Sequence, residues 1–390
     1  MSNETIPGVS APVNGEFIPS SFTLGHGQSA PSASPAALYP SALAAAYAAV
    51  DRAADPYERV KARALLAGYD RRWLERFTRA RIITVETEFQ YRLLNPETGG
   101  QSQSFDAAGK IDAIIEEDGR LKIVEHKTAG ESIDPAASYW DRLTLDTQIS
   151  AYYIAAETGL GLRPESVVYD VIRKPGLQAT DVPVLDEAGL KIVIDLATGE
   201  RALNKNGSPR QSGGEGYQMR LRPMTAEEYE AKLTGDIGER PEFYFAQREA
   251  ARLDADIMEY MADAWAQGQM ILYFRNRNLW PRNPSSCTVL GICPFFDLCA
   301  GHAAVDGLRY ARGAKIHKEL ESIEENGRAL LTNSRLLDLR SCARKHQLRY
   351  EERIERVGEE AEALRFGTLM HNGLEAWLSW IKQDQTKEEK

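Results

Sequence analysis

Two apolar segments joined by a short polar connection dominate the middle of this sequence. The first runs from Gly109 to Ile115, the second from Leu121 to Thr128, and the residues between them include Gly119. Apolar, β-branched segments that flank a polar turn containing glycine are typical of a β-hairpin. Because a hairpin fixes which residues share a face of the sheet, this stretch constrains the fold more than any other.

Three charged residues interrupt the apolar pattern of the hairpin. Asp112 lies inside the first segment, whereas Glu125 and Lys127 lie two residues apart in the second and share one face of their strand. Charges on the inner face of a half-buried strand are costly unless they are paired or bind a ligand. Two carboxylates and a backbone carbonyl offer the oxygen ligands that Mg²⁺ or Mn²⁺ prefers, which suits metal-assisted phosphodiester hydrolysis. The alternative is a hairpin with a surface salt bridge.

The hairpin resembles the core of the PD-(D/E)XK nucleases, and specifically their RecB-like branch. The resemblance rests on Gly109 and Asp112, followed in the second segment by residues 125–128, Glu-His-Lys-Thr. Downstream, Gln148 and Tyr152 match the Q-x-x-x-Y helix of that branch, and their spacing places them on one helix face. For this pair alone, the alternative is an ordinary amphipathic helix.

The resemblance implies an α/β fold of the restriction-endonuclease kind, with a mixed central β-sheet flanked by α-helices. It also implies a role for each matching residue. These roles are metal ligation by Asp112, Glu125 and the His126 backbone carbonyl, positioning of the water or stabilisation of the transition state by Lys127, and orientation of the lysine or the substrate phosphate by Gln148 and Tyr152. An acidic residue on the preceding strand, Glu86 or Glu88, is a further candidate ligand, the alternative being an exposed or salt-bridged residue.

Cysteines form a second pattern. Cys287, Cys293 and Cys299 lie in one short segment, and Cys342 is the only other cysteine of the chain. Thiolates this close in sequence bind Zn²⁺ or an iron–sulfur cluster, or they are inert buried thiols.

The segment around Cys342 resembles the one that carries the lone cluster cysteine of RecB-like nucleases. Ser334, Leu336, Lys345 and Tyr350 match that pattern. In those nucleases one cysteine precedes the core and three follow it, so the resemblance implies a four-cysteine [4Fe–4S] staple, with Zn²⁺ as an alternative cofactor.

His371 lies in a segment that resembles the G-x-x-x-H helix of the same branch, whose histidine is a metal ligand. Gly367, His371 and Glu375 share one helix face, although a lone histidine on a helix is more often structural. In the family, the segments of Cys342 and His371 precede the hairpin, whereas here they follow it. Circular permutation, pairing with another protomer, and a truncated second copy or misplaced reading frame each explain this order.

We expect three regions along the chain. Residues 1–36 are rich in Pro, Ser, Gly and Ala and form a disordered tail. Residues 37–310 form the nuclease core, with an insertion at about 178–240 that is polar and partly disordered. Residues 311–390 form a helical segment that resembles the N-terminal part of the family.

Within these regions the sequence predicts five elements. Residues 37–77, 144–158 and 224–268 have helical spacing of apolar residues, whereas residues 81–93 and 166–174 have the pattern of strands.

The net charge of −10 argues against a general nucleic-acid coat but not against a local basic groove. Lys174, Arg344 and Lys345 are candidate contacts to DNA, with solvated side chains as the alternative. No apolar stretch is long enough to span a membrane, and the start lacks a secretory signal. We therefore expect a cytoplasmic protein, encoded by a bacterium or a phage.

The resemblance implies a Mg²⁺- or Mn²⁺-dependent deoxyribonuclease. We expect an exonuclease on DNA ends or single strands, in recombination, repair, phage replication or CRISPR adaptation. The competing function is a non-catalytic DNA-end binding module with a structural iron–sulfur or zinc site. A helicase or recombination partner is expected to be a separate protein, because the chain lacks a P-loop motif. Exchange of the C-terminal segment would make a homo-oligomer.

Overall fold

The computed structural model describes residues 22–23, 39–289, 291–358 and 362–388. The expected disordered tail, residues 1–36, lies outside these ranges except for one short strand. The strands are β1 (Phe22–Thr23), β2 (Arg81–Leu94), β3 (Gln101–Glu117), β4 (Arg120–Ala129), β5 (Ser166–Arg173), β6 (Val182–Pro183), β7 (Val193–Asp195), β8 (Tyr217–Met219), β9 (Leu221–Arg222), β10 (Phe245–Ala250), β11 (Tyr310–Arg312), β12 (Ala329–Leu331) and β13 (Ile354–Arg356). The α-helices are α1 (Ala42–Val50), α2 (Pro56–Arg79), α3 (Thr147–Leu160), α4 (Ala226–Glu239), α5 (Pro241–Tyr244), α6 (Asp254–Arg277), α7 (Phe296–Ala300), α8 (Asn333–Ser341), α9 (Ala343–His346) and α10 (Glu362–Glu388).

A seven-stranded sheet forms the centre of the fold. Its strand order is β1-β2-β3-β4-β5-β10, and β12 pairs with β3 outside this path. β4 runs parallel to β5, and β12 runs parallel to β3, whereas the other pairs are antiparallel. The expected α/β fold with a mixed central sheet is therefore confirmed.

Helices cover both faces of this sheet. One layer contains α1, α2, α4 and α10, and its core includes Leu66, Phe77 and Trp377. The other layer contains α3, α6 and α8. Ile123 and Val124 are both fully buried because consecutive strand residues face opposite layers. The second strand of the hairpin is thus buried on both faces, and not half-buried as the sequence suggested.

The C-terminal helix α10 completes the first layer within the same chain. The indole ring of Trp377 packs edge-on against Tyr69 and Phe77, with ring centroids 5.3 and 5.4 Å away. Its indole N–H donates a hydrogen bond to Asp70 Oδ1 at 2.7 Å. The segment that resembles the G-x-x-x-H helix is therefore built into the core of the same chain.

Gly373 sets how closely α10 approaches α1 and α2. A Cβ atom at this position would lie 2.8 Å from Leu66 Cδ1 and 3.1 Å from Val50 Cγ1, and both neighbours are buried. We expect Gly373→Ala to lower stability by about 1–3 kcal/mol because the core must shift to admit the methyl group. Thermal unfolding checks this prediction.

Gly235 on α4 offers a matched control. A Cβ atom there meets no atom within 4 Å, so Gly235→Ala is expected to leave the melting temperature unchanged or to raise it slightly. Equal melting temperatures for the two alanine variants would contradict the close approach of α10.

Some predicted elements differ from the structure. A capping box of Thr225 and Glu228 starts α4, but residues 224–268, expected to be helical, are not continuously helical. Phe245–Ala250 forms β10, which pairs with β5 and covers its free edge. Residues 178–240 contain two small two-stranded sheets, β6–β9 and β7–β8, in addition to α4. Residues 311–390, expected to be helical, also contribute β12 to the central sheet and β13 to a pair with β11.

Among the described helices, none is both long enough and apolar enough to cross a membrane.

Candidate active site

The two strands of the hairpin separate where the charged residues lie. Their residues are paired from the turn, where Glu117 lies opposite Arg120, as far as Ala113, which lies opposite Val124. At the next position, the carboxylate of Asp112 accepts a hydrogen bond from the backbone N–H of His126, with 2.9 Å between Oδ2 and N. The Asp112 carboxylate therefore accepts a hydrogen bond that a backbone carbonyl would accept in a regular antiparallel β-ladder. The two strands separate here and leave a polar cleft between them.

Glu125 and Lys127 lie next to each other on one face of β4. Lys127 Nζ is 2.7 Å from Glu125 Oε1 and donates a hydrogen bond to Gln148 Oε1 at 2.9 Å. Gln148 Nε2 in turn donates to the hydroxyl of Tyr152 at 2.5 Å. The structure thus brings the predicted Glu125, Lys127, Gln148 and Tyr152 into one hydrogen-bonded chain.

A glycine on β3 explains how the Tyr152 ring is held. Gly109 pairs with Phe89, and a Cβ atom on Gly109 would lie 2.7 Å from Phe89 Cζ. The Phe89 ring therefore lies across β3, where it packs edge-on against Tyr152 with 5.8 Å between centroids. Gly109, which belongs to the resemblance, thus leaves room for the Phe89 ring that packs against Tyr152.

Glu86, Asp112 and His371 form the group best placed to hold a metal ion. One ligand atom from each lies within 4.8 Å of the others, and no other such group of three occurs among the described residues. Glu86 has φ = 47°, a left-handed conformation that is unfavourable for glutamate. It lies opposite Asp112, because Val85 pairs with Ala113 and Thr87 with Ile111. Of the two glutamates left open by the sequence, the structure places Glu86 here, whereas the Glu88 carboxylate accepts the backbone N–H of Ser322 at 2.9 Å.

Lys110 is a site residue that the sequence reasoning missed. Its Nζ lies 2.6 Å from Glu86 Oε2. Lys110 lies two residues before Asp112 and therefore on the same side of β3. The two-residue period of a strand could have identified it from the sequence.

Burial shifts the pKa values of the titratable groups in the cleft. Burial, then the nearby Glu125 and Glu86 carboxylates, raises the pKa of Asp112 well above its ordinary value. Burial also raises the pKa of Glu125, although Lys127 opposes this shift. Burial and the neighbouring cations, of which His126 is the largest contributor, hold the pKa of His371 below its ordinary value. A neutral imidazole is the protonation state that metal binding requires.

The residues of the cleft fit a hard divalent cation. The donor atoms are carboxylate oxygens and one imidazole nitrogen, which suits Mg²⁺ or Mn²⁺. Glu125 Oε2 is buried without a hydrogen-bond partner, and a cation would satisfy it. His371 Nδ1 lies 3.8 Å from Asp112 Oδ2, beyond hydrogen-bond distance, so its lone pair is free to bind an ion.

The predicted DNA contacts lie outside this cleft. Lys174 Nζ lies 5.6 Å from the centre of the Phe366 ring at the start of α10. Lys345 forms an ion pair with Asp338 at 2.7 Å, and Arg344 donates to Gln347 Oε1 at 2.8 Å. These cations are therefore engaged with protein groups, and their contact with DNA remains a prediction.

The four cysteines do not form a compact metal site. In a tetrahedral zinc site, Zn–S bonds of about 2.3 Å place the sulfurs about 3.8 Å apart. No three of the cysteine sulfurs lie within 4.8 Å of one another among the residues described. The two cysteine segments are nevertheless in contact, because the Asn283 N–H donates to Cys342 Sγ at 3.3 Å and the Cys287 thiol faces the Asn283 carbonyl at 3.9 Å.

The family comparison agrees with this geometry. The sequence matches the family model of the PD-(D/E)XK nuclease superfamily over residues 15–300 and 331–390, which is most of the chain. The second matched range contains His371, and the first contains Glu86, Asp112, Glu125 and Lys127. No curated protein matches this sequence.

Proposed function

This chain belongs to the PD-(D/E)XK nuclease superfamily, and we propose that it is a Mg²⁺- or Mn²⁺-dependent deoxyribonuclease. The observation that carries this proposal is the position of Lys127. Its ammonium group is in contact with Glu125 and Gln148, in the cleft that Glu86 and Asp112 also line. A structural salt bridge would not need the unpaired Glu125 Oε2, the left-handed Glu86 or the nearby neutral His371.

Each residue of the cleft has a distinct role in this proposal. Glu86, Asp112, Glu125 and His371 would hold the cation, together with the backbone carbonyl of His126. The bound cation would polarise the scissile phosphate and lower the pKa of a water molecule. Lys127 binds the attacking water or a phosphate oxygen, because its ammonium group lies beside Glu125, the carboxylate of β4.

Gln148 and Tyr152 support Lys127. The Gln148 amide accepts a hydrogen bond from the ammonium group and donates one to the Tyr152 hydroxyl, which fixes the amide orientation. Since Tyr152 is buried against Phe89, this series of hydrogen bonds restricts the orientation of the Lys127 side chain.

We infer an exonuclease from the resemblance to the RecB-like branch. To test this, the protein is incubated with end-labelled linear DNA and with covalently closed circular DNA, in Mn²⁺, Mg²⁺ or EDTA. We expect short labelled products from linear DNA with either ion, no products in EDTA, and an intact circle. Cleavage of the circle would contradict the exonucleolytic mode, and cleavage in EDTA would contradict metal-dependent hydrolysis.

We also infer that Cys287, Cys293, Cys299 and Cys342 bind a [4Fe–4S] cluster that links the two ends of the core. The match of the Cys342 segment to the family pattern and the contacts of Asn283 with both cysteine segments support this role. Protein purified without oxygen is expected to be brown and to contain about four iron atoms per chain. Cys342→Ser is expected to lose the colour. Colourless protein that contains zinc, or no metal, would contradict the cluster.

A further inference from the structure

A row of buried polar side chains crosses the sheet directly below the candidate site. His126 lies opposite Asp170 in the parallel register of β4 and β5, and Asp170 lies opposite Gln247 on β10. Asp170 Oδ2 is 2.9 Å from His126 Nδ1 and accepts the hydroxyl of Tyr69 at 2.5 Å. Gln247 Nε2 donates to Asp170 Oδ1 at 3.0 Å. Asp170 is therefore a fully buried carboxylate with three hydrogen-bonding neighbours.

His126 connects this row to two of the proposed metal ligands. Its backbone N–H donates to the carboxylate of Asp112. Its ring lies edge-on to the ring of His371, with 6.4 Å between centroids. The side chain of His126 points away from Glu125 and Lys127, because neighbouring strand residues face opposite sides of the sheet.

Stability alone does not account for a histidine at this position. His126 is 3% exposed, and its Nε2 atom is buried without a hydrogen-bond partner. An unsatisfied buried nitrogen is unfavourable, and an apolar side chain of similar size would avoid that cost. What the imidazole adds is a rigid ring, held by Asp170 through Nδ1, that forms one wall of the pocket for His371.

We propose that His126, clamped by Asp170, is a positioning residue of the metal site. It holds the Asp112 carboxylate through its backbone N–H and the His371 ring through its own ring, so that both ligands face the same cation. This inference rests on the proposed function. Outer partners of this kind change metal affinity by about 10- to 100-fold when they are removed.

Mn²⁺ binding to the apoprotein tests this role without depending on cleavage. Electron paramagnetic resonance measures free Mn²⁺ in titrations of wild type and His126→Asn. The asparagine amide retains a donor near the position of Nδ1, but it removes the ring that contacts His371. We expect the Kd for Mn²⁺ to rise by about 10-fold or more. Saturating Mn²⁺ is expected to restore most DNA cleavage, which it would not do for a misfolded protein.

Asp170→Asn is the second variant, and it leaves every residue around the cation unchanged. We expect it also to weaken Mn²⁺ binding, because the His126 ring loses its anionic partner. Ser166→Ala is the matched control, since it removes a partly buried hydrogen bond to Glu249 at the other end of β5. Its Kd for Mn²⁺ is expected to equal that of wild type.

The outcomes separate this inference from the proposed function. If wild type binds Mn²⁺ and cleaves DNA while both His126→Asn and Asp170→Asn bind Mn²⁺ normally, the positioning role is wrong and the nuclease assignment stands. If wild type neither binds Mn²⁺ nor cleaves DNA, the proposed function is wrong, and the positioning role with it.

Discussion

Replacing Lys127 by alanine is expected to reduce metal-dependent DNA cleavage by about 10²- to 10³-fold. The ammonium group lies 2.7 Å from Glu125, the carboxylate of β4, and donates a hydrogen bond to Gln148. Because Lys127 is not a metal ligand in our account, Mn²⁺ binding is expected to persist in Lys127→Ala. Rates of cleavage of end-labelled DNA at saturating Mn²⁺ measure the effect.

Lys122 provides the control for this substitution. It lies on the same strand and forms ion pairs with Glu117 at 3.1 Å and with Glu249 at 2.9 Å, away from the cleft. Lys122→Ala removes the same chemical group from the same strand and is expected to retain cleavage. Equal rates for Lys127→Ala and wild type would refute the assigned role of Lys127.

Replacing His371 by alanine is expected to weaken Mn²⁺ binding by at least about 10-fold and to reduce cleavage at limiting Mn²⁺. His371 supplies the only nitrogen of the proposed ligand group, and its pKa below the ordinary value keeps that nitrogen deprotonated at neutral pH. Thr368 lies one turn earlier on α10 with an exposed side chain, so Thr368→Ala controls for changes to the helix. Normal Mn²⁺ affinity in His371→Ala would exclude it as a ligand.

Mixing two variants that are both impaired at limiting Mn²⁺ distinguishes a site within one chain from a site shared between chains. In the structure, His371 and Asp112 of the same chain are neighbours. At limiting Mn²⁺, an equimolar mixture of His371→Ala and Lys127→Ala is therefore expected to cleave no faster than the mean of its components. Recovery of activity in the mixture would show that α10 is exchanged between protomers.

Local sequence patterns predicted the parts of this protein that are defined by local chemistry. The hairpin could be predicted because its apolar residues are β-branched and its turn is polar. Gln148 and Tyr152 were readable because helix geometry places residues four apart on one face, and the structure confirms that they are in contact.

Long-range packing explains what the sequence did not reveal. β10 follows directly after helical segments, and only its pairing with β5 makes Phe245–Ala250 a strand. Glu86 was indistinguishable from Glu88 because the choice depends on the left-handed backbone at Glu86 and on the register of β2 with β3. The proximity of His371 to Asp112 depends on α10 packing against α1 and α2, which no spacing in the sequence encodes.

Cleavage of end-labelled single-stranded DNA in Mn²⁺ by wild type and by Asp112→Asn tests the central claim most directly. Asp112 accepts the backbone N–H of His126 and lies 3.8 Å from His371 Nδ1, and burial, then the Glu125 and Glu86 carboxylates, raises its pKa. Our account predicts cleavage by wild type and a loss of about 10²-fold or more in Asp112→Asn, which keeps the shape of the side chain but removes its charge. Undiminished cleavage by Asp112→Asn would contradict the proposed metal site, and an inactive wild type that still binds DNA ends would indicate a binding module.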